Sequence, residues 1–76
     1  MYAARLVDRI RDEYLLLPGL NLTFWQVQRL FTADEPSASA ALEALVAEGF
    51  LQKTPMRTFT LSWRVQRRHT SHVVAG

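Results

Sequence analysis

The chain has 76 residues, 49% of them hydrophobic and 21% charged, with a net charge of +2. A chain of this length forms one small domain that buries about 60% of its unfolded surface, so we expect no deep catalytic cleft. The absence of cysteine excludes disulfide bridges, thiolate zinc sites and a cysteine nucleophile. No signal-peptide pattern and no apolar run of roughly 18 residues is present, which predicts a soluble cytoplasmic protein with no membrane partner.

The charge is unevenly distributed along the chain. Residues 1–48 carry four arginines and seven acids, a net charge of −3, whereas residues 49–76 carry five basic residues and no acid. This asymmetry indicates a polyanionic partner on the C-terminal side, or else a basic segment that only increases solubility.

Apolar residues at three- and four-residue steps predict a first helix from about Tyr2 to Leu17, ended by Pro18-Gly19. Leu15 and Leu16 exceed what one apolar stripe needs. Either they pack into the core at the end of the helix, or one of them contributes to a homodimer contact. The stripe itself comprises Ala3, Leu6, Val7, Ile10, Tyr14 and Leu17.

A second helix is predicted to begin after Thr23, because Thr23 and Gln26 form a T-x-x-Q capping box. Leu22 and Val27 are placed to form the hydrophobic staple of this helix. The preceding Leu20–Leu22 segment is expected to be a short strand, long enough for one or two residue pairs with a later hairpin. The apolar face of the second helix comprises Phe24, Val27, Leu30 and Phe31.

A third helix is predicted to begin near Pro36, which suits a first helical turn, and to end at Gly49 in the left-handed conformation. Its buried face is predicted to comprise Ala38, Ala41, Leu42, Leu45 and Val46.

Beyond Gly49 the pattern changes from helical to alternating, which predicts a β-hairpin. Its strands are Phe50–Thr54 and Thr58–Trp63, joined by a turn at Pro55–Arg57, and Phe59, Leu61 and Trp63 are expected on one side. The predicted domain covers residues 1–63. Residues 64–76 form a basic tail that we expect to be disordered or to extend the last strand.

The segments LTFWQVQRLF and LEALVAEGFL resemble the winged helix-turn-helix superfamily, including small stand-alone bacterial members. The resemblance covers about residues 2–63 and implies an α+β fold, in which three helices are followed by a two-stranded β-hairpin wing. Most members of the superfamily place the third helix in the major groove of duplex DNA and the wing against its backbone. A minority use the fold for protein contacts.

The third helix has few groups that could read bases. A 100° step per residue places Ser37, Ala40, Ala44 and Ala47 outward, flanked by two carboxylates at Glu43 and Glu48. Base edges are normally read by Arg, Lys, Asn or Gln, so any DNA binding should be weakly specific.

Our first hypothesis is therefore a transcription-regulator-like protein that binds duplex DNA, as a homodimer through helix one. Ser37 and Ser39 would contact the groove, where hydroxyls and helix amides can hold a phosphate. The phosphate contacts would come from Arg29, Lys53, Arg57, Arg64, Arg67 and Arg68. Basic residues at these positions would also suit a solvated strand edge.

The alternative hypothesis is a protein-interaction module, because Ala40, Ala44 and Ala47 form a flat strip suited to packing against another helix. An enzyme is not expected, since the paired acids lie outside any predicted pocket and no glycine-rich phosphate loop is present. His69 and His72 form an H-x-x-H with no third ligand nearby, so no metal site and no cofactor is predicted.

Overall fold

The computed structural model describes residues 2–63 and residue 65. These residues form an α+β fold in which a small antiparallel sheet packs with three helices, an arrangement compatible with the winged-helix layout. The strand order is β1-β3-β2, so β3 lies at the centre of the sheet. The elements are α1 (Tyr2–Leu16), β1 (Asn21–Thr23), α2 (Phe24–Leu30), α3 (Glu35–Ala47), β2 (Leu51–Lys53) and β3 (Thr58–Leu61).

One hydrophobic core is shared by all three helices and the sheet. The predicted stripes supply most of it, because the three- and four-residue spacing of each helix places its apolar side chains on one face. Tyr14, Ile10 and Leu42 are among the largest side chains that are fully buried. The core comprises Leu6, Ile10, Tyr14, Leu22, Val27, Phe31, Ala38, Ala41, Leu42, Leu45, Phe50, Leu51, Phe59 and Leu61.

The sheet has three strands because β1 joins the hairpin. β1 pairs with β3 over three residue pairs, with Leu22 opposite Phe59, where the sequence predicted one or two. The hydroxyl of Tyr14 donates a hydrogen bond to the carbonyl oxygen of Phe59 at 2.6 Å and so ties α1 to the central strand. Burial raises the pKa of Tyr14 to about 12, against a smaller lowering by the backbone of Leu22.

The predicted helix boundaries are confirmed by their capping groups. Thr23 Oγ1 accepts from the amide of Gln26, and Gln26 Oε1 accepts from the amide of Thr23, which completes the capping box. Asp34 caps α3, and Gly49 has a φ of +84°, the left-handed conformation predicted for it. Local sequence signals therefore set where α2 begins and where α3 begins and ends.

Several leucines for which the sequence predicted or allowed a place in the core lie on the surface instead. Leu15, Leu16 and Leu17 are exposed, Leu16 at 73%, so the first of the two alternatives, packing into the core at the end of α1, does not hold, and the predicted place of Leu17 in the apolar stripe is wrong. Leu30 is also exposed, so its predicted place on the buried face of α2 is wrong, whereas Val27 and Phe31 are buried and Phe24 packs against the core.

The last strand is shorter than predicted. β3 ends at Leu61, and Trp63 has helical backbone and is 57% exposed, so its expected place beside Phe59 and Leu61 is wrong. Ser62 causes the change, since its hydroxyl donates to the carbonyl of Gly49 at 2.6 Å and accepts from the amide of Val65 at 3.4 Å. Ser62 therefore acts as the N-cap of a helical turn.

The hairpin tip is a tight turn closed by Thr54. Its carbonyl accepts from the amide of Arg57 at 3.0 Å, and its amide donates to the carbonyl of Thr58 at 2.8 Å. Arg57 has a φ of +62°, a left-handed conformation that non-glycine residues seldom adopt. A tight turn that ends in a left-handed residue commonly joins antiparallel strands.

In the part of the chain that the structure describes, no helix is both long and apolar enough to cross a bilayer. The predicted basic tail, apart from Val65, lies outside the described residues. Val65 is half-buried and packs against the core.

Candidate interaction surface

A groove with a volume of about 460 Å³ runs between α3 and the hairpin, and we refer to it as the α3–hairpin groove. The start of α2 closes one side of it. Its apolar lining is contributed by Phe24, Leu42, Val46, Ala47 and Phe59, and its polar lining by Ser39, Glu43, Lys53 and Arg57.

The groove is open to solvent but apolar inside. Leu42 and Phe59 are buried and form its floor, whereas Val46 is 38% exposed and Ala47 is also exposed. The size and the mainly apolar lining fall within the range of protein sites that bind ligands or peptide side chains.

One stripe of α3 supplies the helical wall of the groove. Ser39, Glu43, Val46 and Ala47 follow at three- and four-residue steps, which places them along the same side of a helix. The hydroxyl of Ser39 donates to Glu43 Oε2 at 3.3 Å and holds that carboxylate on the helical rim.

The opposite rim is cationic and belongs to the hairpin. Lys53 ends β2, and its ammonium lies 5.9 Å from the centre of the Phe59 ring, while Arg57 stands at the exposed hairpin tip. Within residues 2–63, neither Lys53 nor Arg57 forms an ion pair. The groove therefore has two available positive charges on the hairpin side and the Glu43 carboxylate on the helix side.

Three of the predicted DNA-binding residues, Ser39, Lys53 and Arg57, are brought together at this groove. Arg29 does not line the groove, and its guanidinium stacks 4.7 Å from the ring centre of the exposed Trp25. Arg64, Arg67 and Arg68 lie outside the described residues, as do His69 and His72.

The N-terminus of α3, where Ser37 was predicted to hold a phosphate, is occupied by carboxylates. Asp34 Oδ1 accepts from the amide of Ser37 at 2.8 Å, and Glu35 lies in the first turn. Hydrogen bonds from Ser37 lower the pKa of Asp34, so this group is ionised at neutral pH. The carboxylates complement the helix dipole and would repel a phosphate.

The predicted outward strip of Ala40, Ala44 and Ala47 is divided, because Ala47 lines the groove. Ala40 and Ala44 are exposed, and neither lines the groove. At the C-terminal end of the helix, Glu48 forms a bidentate pair with the guanidinium of Arg11 on α1. This pairing raises the pKa of Arg11.

Two groove residues, Phe24 and Val46, were predicted on the apolar faces of α2 and α3, and the predicted burial of Val46 is wrong because it is 38% exposed. Ala38, Ala41, Leu42 and Leu45 already complete the buried face of α3, so Val46 is a surplus apolar residue beside it. Phe24 directly follows the Thr23 cap and is only half-buried. Surplus apolar residues beside a complete core stripe indicate a second apolar surface.

Among the residues described, no group of three His, Asp or Glu side chains is placed to hold a metal ion. Comparison of the chain with protein-family models, curated proteins and solved structures finds no match.

Proposed function

We propose that this chain is a protein-interaction module of the winged-helix type, and that the α3–hairpin groove binds a segment of another protein. The observation that carries the proposal is the apolar groove itself. It lies between the third helix and the hairpin, on the side where members of the resembled superfamily approach DNA. Solvent-open apolar surface bordered by charged residues is typical of protein-binding sites.

The chemistry of α3 supports a protein partner over a base-reading role. Its exposed face presents Ala40, Ala44 and Ala47 with two carboxylates, Glu35 and Glu43. None of these side chains offers the forked donors that recognise base edges, and the carboxylates disfavour phosphate. At the groove, the small side chain of Ala47 permits close approach of a partner's backbone and side chains.

The backbone of Arg57 gives independent support for a binding role at the hairpin tip. The left-handed position in such turns is usually filled by glycine, and an L-residue there costs roughly 1–2 kcal/mol. Strained positions of this kind cluster at binding sites, where the side chain is retained for function. Arg57 fits that description because it lines the groove and is exposed.

The proposal is tested by selecting binders from a displayed library of random peptides and then mapping them by NMR on the labelled protein. We expect the amide shifts to concentrate on Ser39–Ala47 and on the hairpin. Ala47→Trp should abolish binding because the indole would fill the groove. The matched control is Ala40→Trp, which changes an exposed alanine on the same helix outside the groove and should preserve binding.

Two results would count against the proposed function. The first is a selection that yields no binder to the wild-type protein. The second is a set of binders that tolerate Ala47→Trp as well as they tolerate Ala40→Trp.

Duplex DNA is the second candidate, favoured by the availability of the Lys53 and Arg57 side chains on the hairpin and by the five basic residues of segment 49–76. If four to six cations contact phosphates, the logarithm of the binding constant should fall with the logarithm of salt at a slope of about −4 to −5. Titration of random-sequence duplex at two salt concentrations measures this slope.

The charge-reversed double variant with Arg57→Glu and Arg67→Glu tests the DNA hypothesis directly. Under DNA binding, this variant should lose affinity for duplex of any sequence. Unchanged duplex binding would refute the phosphate contacts assigned to these arginines, and absence of duplex binding by the wild type at low salt would refute DNA as the partner.

A further inference from the structure

We infer that the segment bound in the α3–hairpin groove is an amphipathic helix whose carboxylates face the hairpin. This inference rests on the proposed function and names the partner that the groove selects. It combines three observations: the length of the α3 wall, the pairing of β3 with a strand on each of its edges, and the opposite charges on the two rims.

The length of the helical wall matches two turns of a partner helix. From Ser39 to Ala47 the wall extends over eight residue steps, or about 12 Å at the helical rise. Apolar side chains at i, i+3 or i+4, and i+7 of a bound helix span a similar distance. Three such anchors would lie along the floor formed by Leu42 and Phe59.

The backbone groups of β3 and α3 favour a helix over an extended segment at the floor and the helical wall of the groove. β3, which contributes Phe59 to the floor, is already paired on both of its edges by β1 and β2. The α3 wall presents side chains, since the backbone groups of a helix interior are bonded within it. A helical partner satisfies its own backbone hydrogen bonds and needs none from the groove.

Only the hairpin rim of the groove is electrostatically complementary to an acidic partner. Lys53 and Arg57 have no ion-pair partner within residues 2–63, in contrast to Arg11, which is paired with Glu48. The carboxylate of Glu43 stands on the other rim and would repel an acid there. Charges arranged in this way fix the orientation of a partner as well as its identity.

The test uses two synthetic peptides and titration calorimetry with the full chain. Both peptides carry leucines at i, i+3 and i+7, and both are N-acetylated and C-amidated. The first has glutamates flanking the leucines on one side, and the second has lysines at those positions. We expect the glutamate peptide to bind about tenfold more tightly than the lysine peptide, because only the glutamate peptide can form two exposed ion pairs with Lys53 and Arg57.

A charge-swapped protein provides the reciprocal measurement. The double variant with Lys53→Glu and Arg57→Glu should reverse the preference, so that the lysine peptide binds more tightly than the glutamate peptide. Circular dichroism establishes that the variant is folded. A proline version of the glutamate peptide, placed to break its helix, should lose binding.

Failure of this inference and failure of the proposed function give different results. Equal binding of the two peptides would overturn the acidic assignment, and undiminished binding of the proline version would overturn the helix, while groove binding itself stands in both cases. If neither peptide binds at about 1 mM, the helical partner is refuted. The proposed function falls only if the library selection also yields no groove binder.

Discussion

Arg57 is a position where the requirements of folding and of binding oppose each other. Its left-handed backbone favours glycine, while the groove uses its guanidinium. We expect Arg57→Gly to raise the free energy of unfolding by up to about 1 kcal/mol, because strain is relieved at some entropic cost. The same substitution should weaken binding of the glutamate peptide, which calorimetry and urea unfolding measure together.

The matched control for this prediction is Thr32→Gly. Thr32 also has a positive φ, +50°, but it follows α2 and does not line the groove. This variant should gain similar stability and keep full peptide affinity. A loss of stability in Arg57→Gly would show that the turn does not strain the arginine.

Tyr14 makes the free energy of unfolding depend on pH in the alkaline range. Its pKa is raised from 10.0 to about 12 by burial, so folding favours the protonated phenol. The resulting stability is fully present below pH 10 and is lost as pH rises from about 10 towards 12. We expect urea unfolding to show this decline in the wild-type protein.

Tyr14→Phe should remove that component of the alkaline decline. At neutral pH it should also lower the free energy of unfolding by about 1–3 kcal/mol, since the carbonyl of Phe59 loses a buried hydrogen bond. An alkaline decline of the same size in Tyr14→Phe would assign it to other groups.

At the scale of the elements, Gly49 ends α3 and starts the chain towards β2. No atom lies within 4 Å of a Cβ built there, so the effect of Gly49→Ala is set by the positive φ alone. We expect a loss of about 1–2 kcal/mol in the free energy of unfolding. Gly19→Ala is the matched control, because Gly19 has equal space and no positive φ, and it should be neutral or slightly stabilising.

The sequence predicted those features that depend on neighbouring residues. The capping box at Thr23, the left-handed Gly49 and the hairpin turn are local, so their residue types determined their positions. The buried stripes of α1 and α3 also follow from helical spacing, with Leu6, Ile10 and Tyr14 as the clearest example.

The predictions failed where tertiary packing decides between residues of the same type. Val46 and Leu45 are adjacent apolar residues, and only the position of the hairpin determines that Val46 faces the groove. Trp63 continued the strand alternation in sequence, but the backbone becomes helical after Ser62, whose carbonyl and hydroxyl oxygens accept from the amide of Val65. The groove combines α2, α3 and the hairpin, so no single segment encodes it.

At the scale of the whole molecule, the homodimer through helix one stays a prediction, and the exposed leucines at the end of α1 are where it would form. Leu15, Leu16 and Leu17 form an apolar end to a helix whose other exposed residues are mainly charged. We expect sedimentation to show a dimer that Leu16→Glu dissociates, without loss of helical circular dichroism. A wild-type chain that stays monomeric at high concentration would contradict this prediction.

The central position of β3 has a consequence for the order of events during synthesis. β3 is the last strand of the described residues, yet it separates β1 from β2, and its Phe59 carbonyl accepts the hydrogen bond of Tyr14, which lies 45 residues earlier. The sheet therefore cannot close on a ribosome until Leu61 has left the exit tunnel. Since domains generally fold as units, we expect the N-terminal helices to remain unpacked on a nascent chain that is stalled before β3 emerges.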